Sequence, residues 1–318
     1  MKKLFSTVGL IALTLVVFGI LNAYIAIPDL ARKGEIVAYR GGGGTLVDSR
    51  KLKETGCTAK SIIKSDASSV ENTLQAAASS VNAGADVIHL NVHRTLDDQL
   101  IVFHDWTLDC ATNKSGPVHK ANYSEIQAAD AGFGYTADND QSFPYRGRGF
   151  SISKLDEFFS RFPKQTFWLN LKDNDERSFS ILHAYLANKT PDDHLKTTVI
   201  TSRRGLNWFK NKNATIDVIS VGSVKECGID YLMLGWAGIV PESCKNTTLL
   251  IPPSKAKYFW GYPRRMASRL QSHGTDIYLW SKNREVDQKN SSLVVEGVGI
   301  VTSDLNLISK AKSYKPVN

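Results

Sequence analysis

The chain has 318 residues, of which 42% are hydrophobic and 22% charged, with 23 Gly and 10 Pro. These ordinary values exclude collagen-like, low-complexity and wholly disordered proteins. The formal net charge of +8 is spread along the chain without a long basic block. The sequence therefore predicts no nucleic-acid partner and favours attraction to phosphate-bearing substrates or an anionic membrane surface.

The chain begins with Lys2 and Lys3, and residues 4–27 are then almost wholly apolar. At about 1.5 Å per helical residue, this run is long enough to cross a hydrocarbon core of about 30 Å. It exceeds a typical signal-peptide apolar region of about 7–15 residues. We therefore expect residues 1–27 to form an N-terminal transmembrane helix, a membrane anchor or uncleaved signal, with a cleaved signal peptide as the alternative.

The paired lysines before the apolar run are expected to remain in the cytoplasm. This orientation places the rest of the chain on the periplasmic or extracellular face of the membrane. If the N-terminal segment is cleaved, the same argument predicts a secreted protein.

After a linker at 28–35, short apolar runs rich in β-branched residues alternate with amphipathic stretches. The predicted strands are 35–39, 87–92, 100–104, 166–171, 197–201, 216–221, 231–234, 248–251, 276–280 and 298–302. The predicted helices are 71–82, 154–162, 176–188, 203–211, 264–273 and 305–312. Repeated β then α predicts an α/β fold with a parallel sheet. About eight such units fit a (β/α)8 TIM barrel over 36–312, followed by a tail at 313–318.

Two stretches, 41–70 and 131–149, have the composition of insertions between barrel elements. The four cysteines are Cys57, Cys110, Cys227 and Cys244, an even count that suits disulfides in an oxidising compartment. Three connectivities are allowed. We prefer Cys57–Cys110 with Cys227–Cys244, because these pairs close shorter loops. Four buried free thiols are the alternative.

Residues able to do chemistry follow the predicted strands, and in a barrel such positions gather at the carboxyl ends of the strands. The runs concerned are Tyr39-Arg40-Gly41, Glu71-Asn72-Thr73, His89-Leu90-Asn91-Val92-His93, His104-Asp105-Trp106 and Asn170-Leu171-Lys172.

In order and spacing, from about residue 36 to 308, this series resembles the glycerophosphodiester phosphodiesterase family of phospholipase-C-like phosphodiesterase barrels. The most specific pieces are Glu71-Asn72-Thr73 and the run from His104 to Asp109. The resemblance implies a TIM barrel with a small insertion after the second barrel strand, within residues 105–165. It also implies a phosphoric diester hydrolase of lipid metabolism. Such an enzyme converts a glycerophosphodiester and water to sn-glycerol 3-phosphate and an alcohol, assisted by a divalent cation, Ca²⁺ or Mg²⁺.

The residues that match the family pattern are Arg40, Glu71, Asn72, His104, Asp105 and Lys172. The resemblance implies that His104 is a catalytic acid/base and that Arg40 and Lys172 bind phosphate. Glu71 is then a carboxylate on the metal side of the site or one that orients other groups.

Four positions are substituted relative to the family. Tyr39 replaces the first catalytic His, His89 and Asn91 replace a Glu-x-Asp pair, and Asn170 replaces a later carboxylate. Hard cations bind through carboxylate charge, so the loss of three carboxylates makes a Ca²⁺ or Mg²⁺ site doubtful here. A phenol is also a much weaker base than an imidazole near neutral pH. Tyr39 retains the capacity to donate a hydrogen bond to phosphate or a proton to a leaving group.

Three alternatives follow from these substitutions. Alternate residues of a strand share a face, so His89 and His93, with His104, are candidate alternative ligands of Zn²⁺. In a metal-free enzyme, Arg40 and Lys172 bind the diester while His104 acts alone. In a catalytically inactive barrel, the same groups bind phosphodiester or phospholipid headgroups at the membrane surface. The predicted partners are therefore such a ligand and, through the N-terminal helix, the membrane; no protein partner is indicated.

Overall fold

The fold is seen in a computed structural model that describes residues 2–22, 32–43, 47–63, 68–189, 197–212, 216–280 and 295–313, without the side chains of 2–6 and 49. The strands are β1 Ile36–Ala38, β2 Val87–Arg94, β3 Leu100–Val102, β4 Thr166–Leu171, β5 Thr197–Thr201, β6 Asp217–Ser220, β7 Thr248–Ile251, β8 Asp276–Leu279 and β9 Gly299–Thr302. Eight of them form a nearly closed barrel in the order β6-β5-β4-β2-β1-β9-β8-β7, with parallel pairing along it. The predicted TIM barrel is confirmed.

Helices lie in most of the connections between these strands and pack against the outside of the barrel, and one further helix precedes the first strand. They are α1 Lys2–Ile20, α2 Ser49–Thr55, α3 Leu74–Ala83, α4 Tyr123–Ile126, α5 Leu155–Arg161, α6 Glu176–Ala187, α7 Arg203–Asn211, α8 Val221–Leu234, α9 Pro253–Ala256, α10 Arg264–Gln271 and α11 Leu305–Ser313. Local capping explains several starts: the side chains of Thr73, Asp175 and Ser202 accept backbone N–H groups of the first turns of α3, α6 and α7.

Apolar side chains fill both faces of the barrel strands. Within the barrel, Val37, Val87 and Val301 pack with Trp168 and Tyr278. A larger cluster lies between the strands and the outer helices. Strands buried on both faces need apolar residues at successive positions, which is why β2 is buried over nearly its whole length.

Two strand predictions are corrected by the structure. Residues 231–234 are the last turn of α8, which starts directly after β6 because Ser220 caps it by accepting the N–H of Ser223. Residues 100–104 contain the shorter β3, which pairs antiparallel with β2 and lies off the barrel path. A short apolar run is compatible with either helix or strand, so its tertiary partner decides between them.

The two predicted insertions pack against each other. Their shared apolar cluster includes Ile62 and Val70 from the first and Tyr135 and Tyr145 from the second, with Ile101 of β3 beneath. The backbone N–H of Thr136 also donates to Ala59 O at 3.1 Å. This second core joins the chain before α3 to the segment between β3 and β4, next to the carboxyl end of β1.

Two disulfides are present, Cys57–Cys110 and Cys227–Cys244, which is the preferred pairing. The first lies within the second core, and the other joins α8 to the turn before β7.

At the amino terminus, α1 exposes apolar side chains from Val8 to Ile20. Within the residues that the structure describes, no helix combines the length and the apolar character needed to cross a membrane. The first half of the predicted linker at 28–35 and nearly all of the tail at 313–318 lie outside the described residues.

Candidate active site

The predicted site residues gather at the carboxyl end of the barrel strands. Arg40 follows β1, His89 and His93 lie on β2, His104 follows β3, and Lys172 follows β4. This is the end at which barrel strands present their loops, so residues far apart in sequence share one mouth.

Arg40 is fixed by a buried ion pair. Its Nη1 lies 2.8 and 3.0 Å from the two carboxylate oxygens of Glu71, and both side chains are almost fully buried. Its backbone N–H donates to His89 Nδ1 at 3.1 Å, and its carbonyl accepts the N–H of Asn72. Burial raises the pKa of the Glu71 carboxyl, and the positive charge of Arg40 lowers it. Burial is the larger effect, so the pKa is raised overall. The close contacts of both carboxylate oxygens with Arg40 Nη1 identify Glu71 as the counterion of Arg40.

The backbone at Arg40 has φ 56°, in the left-handed region, and Gly41, Gly42 and Gly43 also have positive φ. At Gly42 an added Cβ would lie 1.9 Å from Ser80 Oγ on α3. Only glycine fits such a turn, since it combines positive φ with close approach to a helix. The turn brings the Arg40 side chain back over Glu71.

His104 belongs to a hydrogen-bonded triad with Asp105 and Thr58. His104 Nδ1 lies 2.8 Å from Asp105 Oδ1, while the Thr58 hydroxyl donates to the same oxygen at 2.5 Å. A carboxylate only accepts, so Nδ1 of His104 carries the hydrogen and Nε2 has the free lone pair. Burial, and then the positive charge of Arg40, hold the pKa of His104 well below its usual value. The imidazole is therefore neutral at neutral pH, with the Nε2 lone pair free to accept a proton but with its basicity weakened by the low pKa.

The substituted positions on β2 and β4 form a chain of amides. Asn91 Nδ2 donates to Asn72 Oδ1 at 3.2 Å, and Asn170 Nδ2 donates to Asn91 Oδ1 at 3.0 Å. The backbone N–H of Asn91 also donates to Asn72 Oδ1, which fixes the orientation of that amide. Asn72 Nδ2 is then buried without a partner among the described residues, and so is Nε of Arg40. Unpartnered buried donors cost free energy, so two of them at one mouth point to an absent acceptor.

His89 and His93 are occupied by other contacts. The ring of His89 stacks on Tyr39 with centroids 4.8 Å apart, and burial, followed by the charges of Arg40 and Lys172, lowers its pKa to about 3. His93 Nδ1 lies 3.3 Å from Asp173 Oδ1, and its ring meets the edge of Trp106. His93 therefore supports the loop that carries His104.

Lys172 supplies a second cation at the mouth. Burial and then repulsion from Arg40 lower its pKa to about 8. Its backbone N–H donates to Val92 O at 2.9 Å, continuing the β2–β4 pairing one residue beyond the strand. Arg40 and Lys172 therefore lie close enough for their positive charges to repel each other. A bound anion would reduce this repulsion.

The donor set does not fit a hard divalent cation. Ca²⁺ and Mg²⁺ need several oxygen ligands with carboxylate charge, but Glu71 is paired with Arg40, and the amide oxygens of Asn72 and Asn91 accept internal hydrogen bonds. In the described part of the chain, no three His, Cys, Asp or Glu side chains are grouped to hold one ion, so the zinc alternative on His89, His93 and His104 gains no support.

The sequence prediction did not assign roles to Thr58 and Asp173, which orient His104 and His93. One available signal was that Thr58 follows Cys57, whose preferred disulfide partner Cys110 lies near His104 in sequence. The signal for Asp173 was its place directly after Lys172 at a strand end.

Comparison with protein-family models finds a match over residues 56–304 to the glycerophosphoryl diester phosphodiesterase family. A glycerophosphodiester phosphodiesterase of Caldanaerobacter subterraneus is 24% identical over 249 residues, covering 76% of this chain and 93% of that protein.

Solved structures share the fold. The glycerophosphoryl diester phosphodiesterase domain of an uncharacterized Mycobacterium tuberculosis protein aligns with a TM-score of 0.60 at 14% identity, covering 88% of this chain and 98% of that one. An Agrobacterium tumefaciens glycerophosphodiester phosphodiesterase aligns with a TM-score of 0.57 at 19% identity, covering 87% of this chain and 99% of that one. An Oleispira antarctica phosphodiesterase, solved with the product sn-glycerol-3-phosphate, aligns with a TM-score of 0.53 at 16% identity, covering 90% of this chain and 98% of that one.

Proposed function

The chain belongs to the glycerophosphoryl diester phosphodiesterase family, and from that membership we propose that it binds a glycerophosphodiester at the barrel mouth and hydrolyses it without a tightly held metal ion. The products are sn-glycerol 3-phosphate and an alcohol. The relative solved with sn-glycerol-3-phosphate supports this choice of ligand.

The observation that carries the proposal is a pair of buried N–H donors at the mouth that have no acceptor among the described residues. In the part of the chain that the structure describes, Arg40 Nε and Asn72 Nδ2 are buried without a hydrogen-bond partner, and Lys172 adds a positive charge at the same mouth. A phosphodiester supplies one negative charge and two free oxygens, which match donors of this kind. Arg40 and Asn72 are held by Glu71 and Asn91, so the groups are oriented before the ligand arrives.

For the chemical step, His104 Nε2 accepts a proton from the attacking water as its oxygen bonds to phosphorus. The bond from phosphorus to the alcohol oxygen breaks, and that oxygen takes a proton, which we assign to the Tyr39 hydroxyl beside Arg40. Proton exchange with solvent returns both groups to their starting states. An acid/base partner other than imidazole is expected to slow the reaction, since one such group contributes about 10²–10⁴-fold.

The test uses the full chain and glycerophosphocholine. We expect release of sn-glycerol 3-phosphate in the presence of chelator, little changed by Ca²⁺, Mg²⁺, Mn²⁺ or Zn²⁺. His104→Ala should reduce it about 10²-fold or more, whereas His119→Ala, on an exposed side chain, should not. Strict dependence on one added metal would refute the metal-free step.

A second function, binding without turnover, is favoured by one observation: Tyr39 and the amides of Asn91 and Asn170 occupy the substituted positions at the centre of the site. Saturable binding of glycerophosphocholine without product release, in the same experiment, would establish it. If neither binding nor turnover occurs, this ligand class is wrong.

The cellular location is also proposed. Residues 4–27 tether the barrel to a membrane, and the barrel lies outside the cytoplasm on the periplasmic or extracellular face; cleavage would release it. The apolar surface of α1 supports the tether, and two disulfides support an oxidising compartment.

A further inference from the structure

An exposed apolar patch lies at the end of α8 and in the turn after it. Ile229, Leu232 and Met233 share one face of the helix and are 51%, 38% and 68% exposed. Leu234, the last residue of α8, and Ile239, in the turn after it, are 41% and 50% exposed and extend the patch. We call these five residues the α8 patch. An exposed apolar cluster of this kind on a protein surface marks a site of contact with a membrane or another protein.

The end of α1 is fastened within the same region. Gly19 is buried against the indole of Trp236, in the turn between Leu234 and Ile239. Asn22 Nδ2 donates to Trp236 O at 2.8 Å, and Arg269 Nη2 donates to Asn22 O at 2.7 Å. The apolar surface of α1 and the α8 patch are therefore held next to each other.

This region lies at the amino-terminal end of the barrel strands. Arg269 is in the last turn of α10, which leads into β8. Arg32, the first residue described after residue 22, pairs with Asp276, the first residue of β8, at 3.1 Å. Asn22 and Arg32 are thus both attached at the amino-terminal end of the barrel strands. Arg40, His104 and Lys172 lie at the opposite end.

The chemistry of the surroundings matches a lipid interface. Apolar side chains on every side of α1 are typical of a helix surrounded by an apolar phase. Trp260 borders the patch and is held there by its indole N–H, which donates to Leu232 O at 3.0 Å. Trp is enriched at membrane–water interfaces. Arg265 and Arg269 both donate through Nη2 to Asn22 Oδ1, at 3.4 and 2.6 Å. Two cations at this end of α1 favour a surface of anionic headgroups.

We infer that α1 and the α8 patch together bind a lipid bilayer, so that the amino-terminal end of the barrel rests on the membrane and the site opens away from it. The ligand is then a water-soluble glycerophosphodiester and not a lipid of the supporting bilayer. This choice of ligand rests on the proposed function.

The test places a fluorescent probe at each end of the barrel. Met233→Cys and Leu96→Cys each carry a bimane label on the full chain, with both native disulfides intact. Leu96, 52% exposed in the loop after β2, is the matched control. Both chains are reconstituted in vesicles of phosphatidylcholine and phosphatidylglycerol that contain nitroxide-labelled lipid.

We expect several-fold stronger quenching at position 233 than at 96. Equal quenching, stronger quenching at 96, or none at either position would overturn the inference, the last pointing to a protein or a second copy as the occupant. Quenching by iodide before reconstitution verifies that each probe is accessible in a folded chain.

A separate measurement tests the ligand class. Glycerophosphocholine in solution should bind to the reconstituted chain, and lysophosphatidylcholine held in the same vesicles should not. Binding of the vesicle-held lipid by the same chains would contradict the outward-facing site. Failure to bind either ligand refutes the proposed function alone, because the quenching experiment requires no ligand.

Discussion

At the scale of single residues, the protonation of Lys172 should make ligand affinity depend on pH. Its pKa is about 8, lowered by burial and then by Arg40, so the ammonium loses its charge as the pH rises through that value. Affinity for glycerophosphocholine should therefore fall above pH 8, by up to about tenfold per pH unit. Lys172→Arg keeps its charge and should bind with little change between about pH 7 and 9.5. Calorimetric titration across this range measures both; an equal fall in the Arg variant would exclude Lys172 as the titrating group.

At the scale of elements, the two disulfides should differ in their effects. Cys57–Cys110 ties the segment of Thr58 to that of His104 and Asp105, whereas Cys227–Cys244 ties α8 to the turn before β7, away from the site. Each loss is expected to lower the free energy of unfolding by about 2–4 kcal/mol.

Only the double variant Cys57→Ser/Cys110→Ser should also weaken glycerophosphocholine binding, because Thr58 then no longer holds the His104–Asp105 pair in place. Cys227→Ser/Cys244→Ser is the matched control. Denaturant unfolding and ligand titration of both variants give the comparison. Equal loss of binding in the two would show that general stability, and not the position of Thr58, controls the site.

At the scale of the whole molecule, buried neutral imidazoles make the fold sensitive to acid. The folded pKa of His89 is about 3, below its ordinary value of about 6.5. Between these values the unfolded chain binds a proton that the folded chain does not, so acid favours unfolding. The free energy of unfolding should fall by about 1.4 kcal/mol per pH unit in this window from His89 alone.

Urea unfolding between about pH 7 and 5 measures this slope. His89→Gln should flatten it, and His119→Gln, on an exposed side chain, should leave it unchanged. Carboxyl groups with raised pKa values, such as those of Asp217 and Asp276, contribute with the opposite sign, but they cancel in the comparison of variants. An unchanged slope in His89→Gln would mean that the imidazole is protonated when folded.

The sequence by itself determined the barrel, the disulfide preference and the positions of Arg40, His104 and Lys172. Their signals are local: apolar runs with β-branched residues, short cysteine loops and polar residues at strand ends. Tertiary structure decided what local patterns leave open. Residues 231–234 are helical because α8 begins at the cap formed by Ser220. Glu71 neutralises Arg40 because burial makes an unpaired charge costly. The Asn72–Asn91–Asn170 chain exists only because β2 and β4 pair in register.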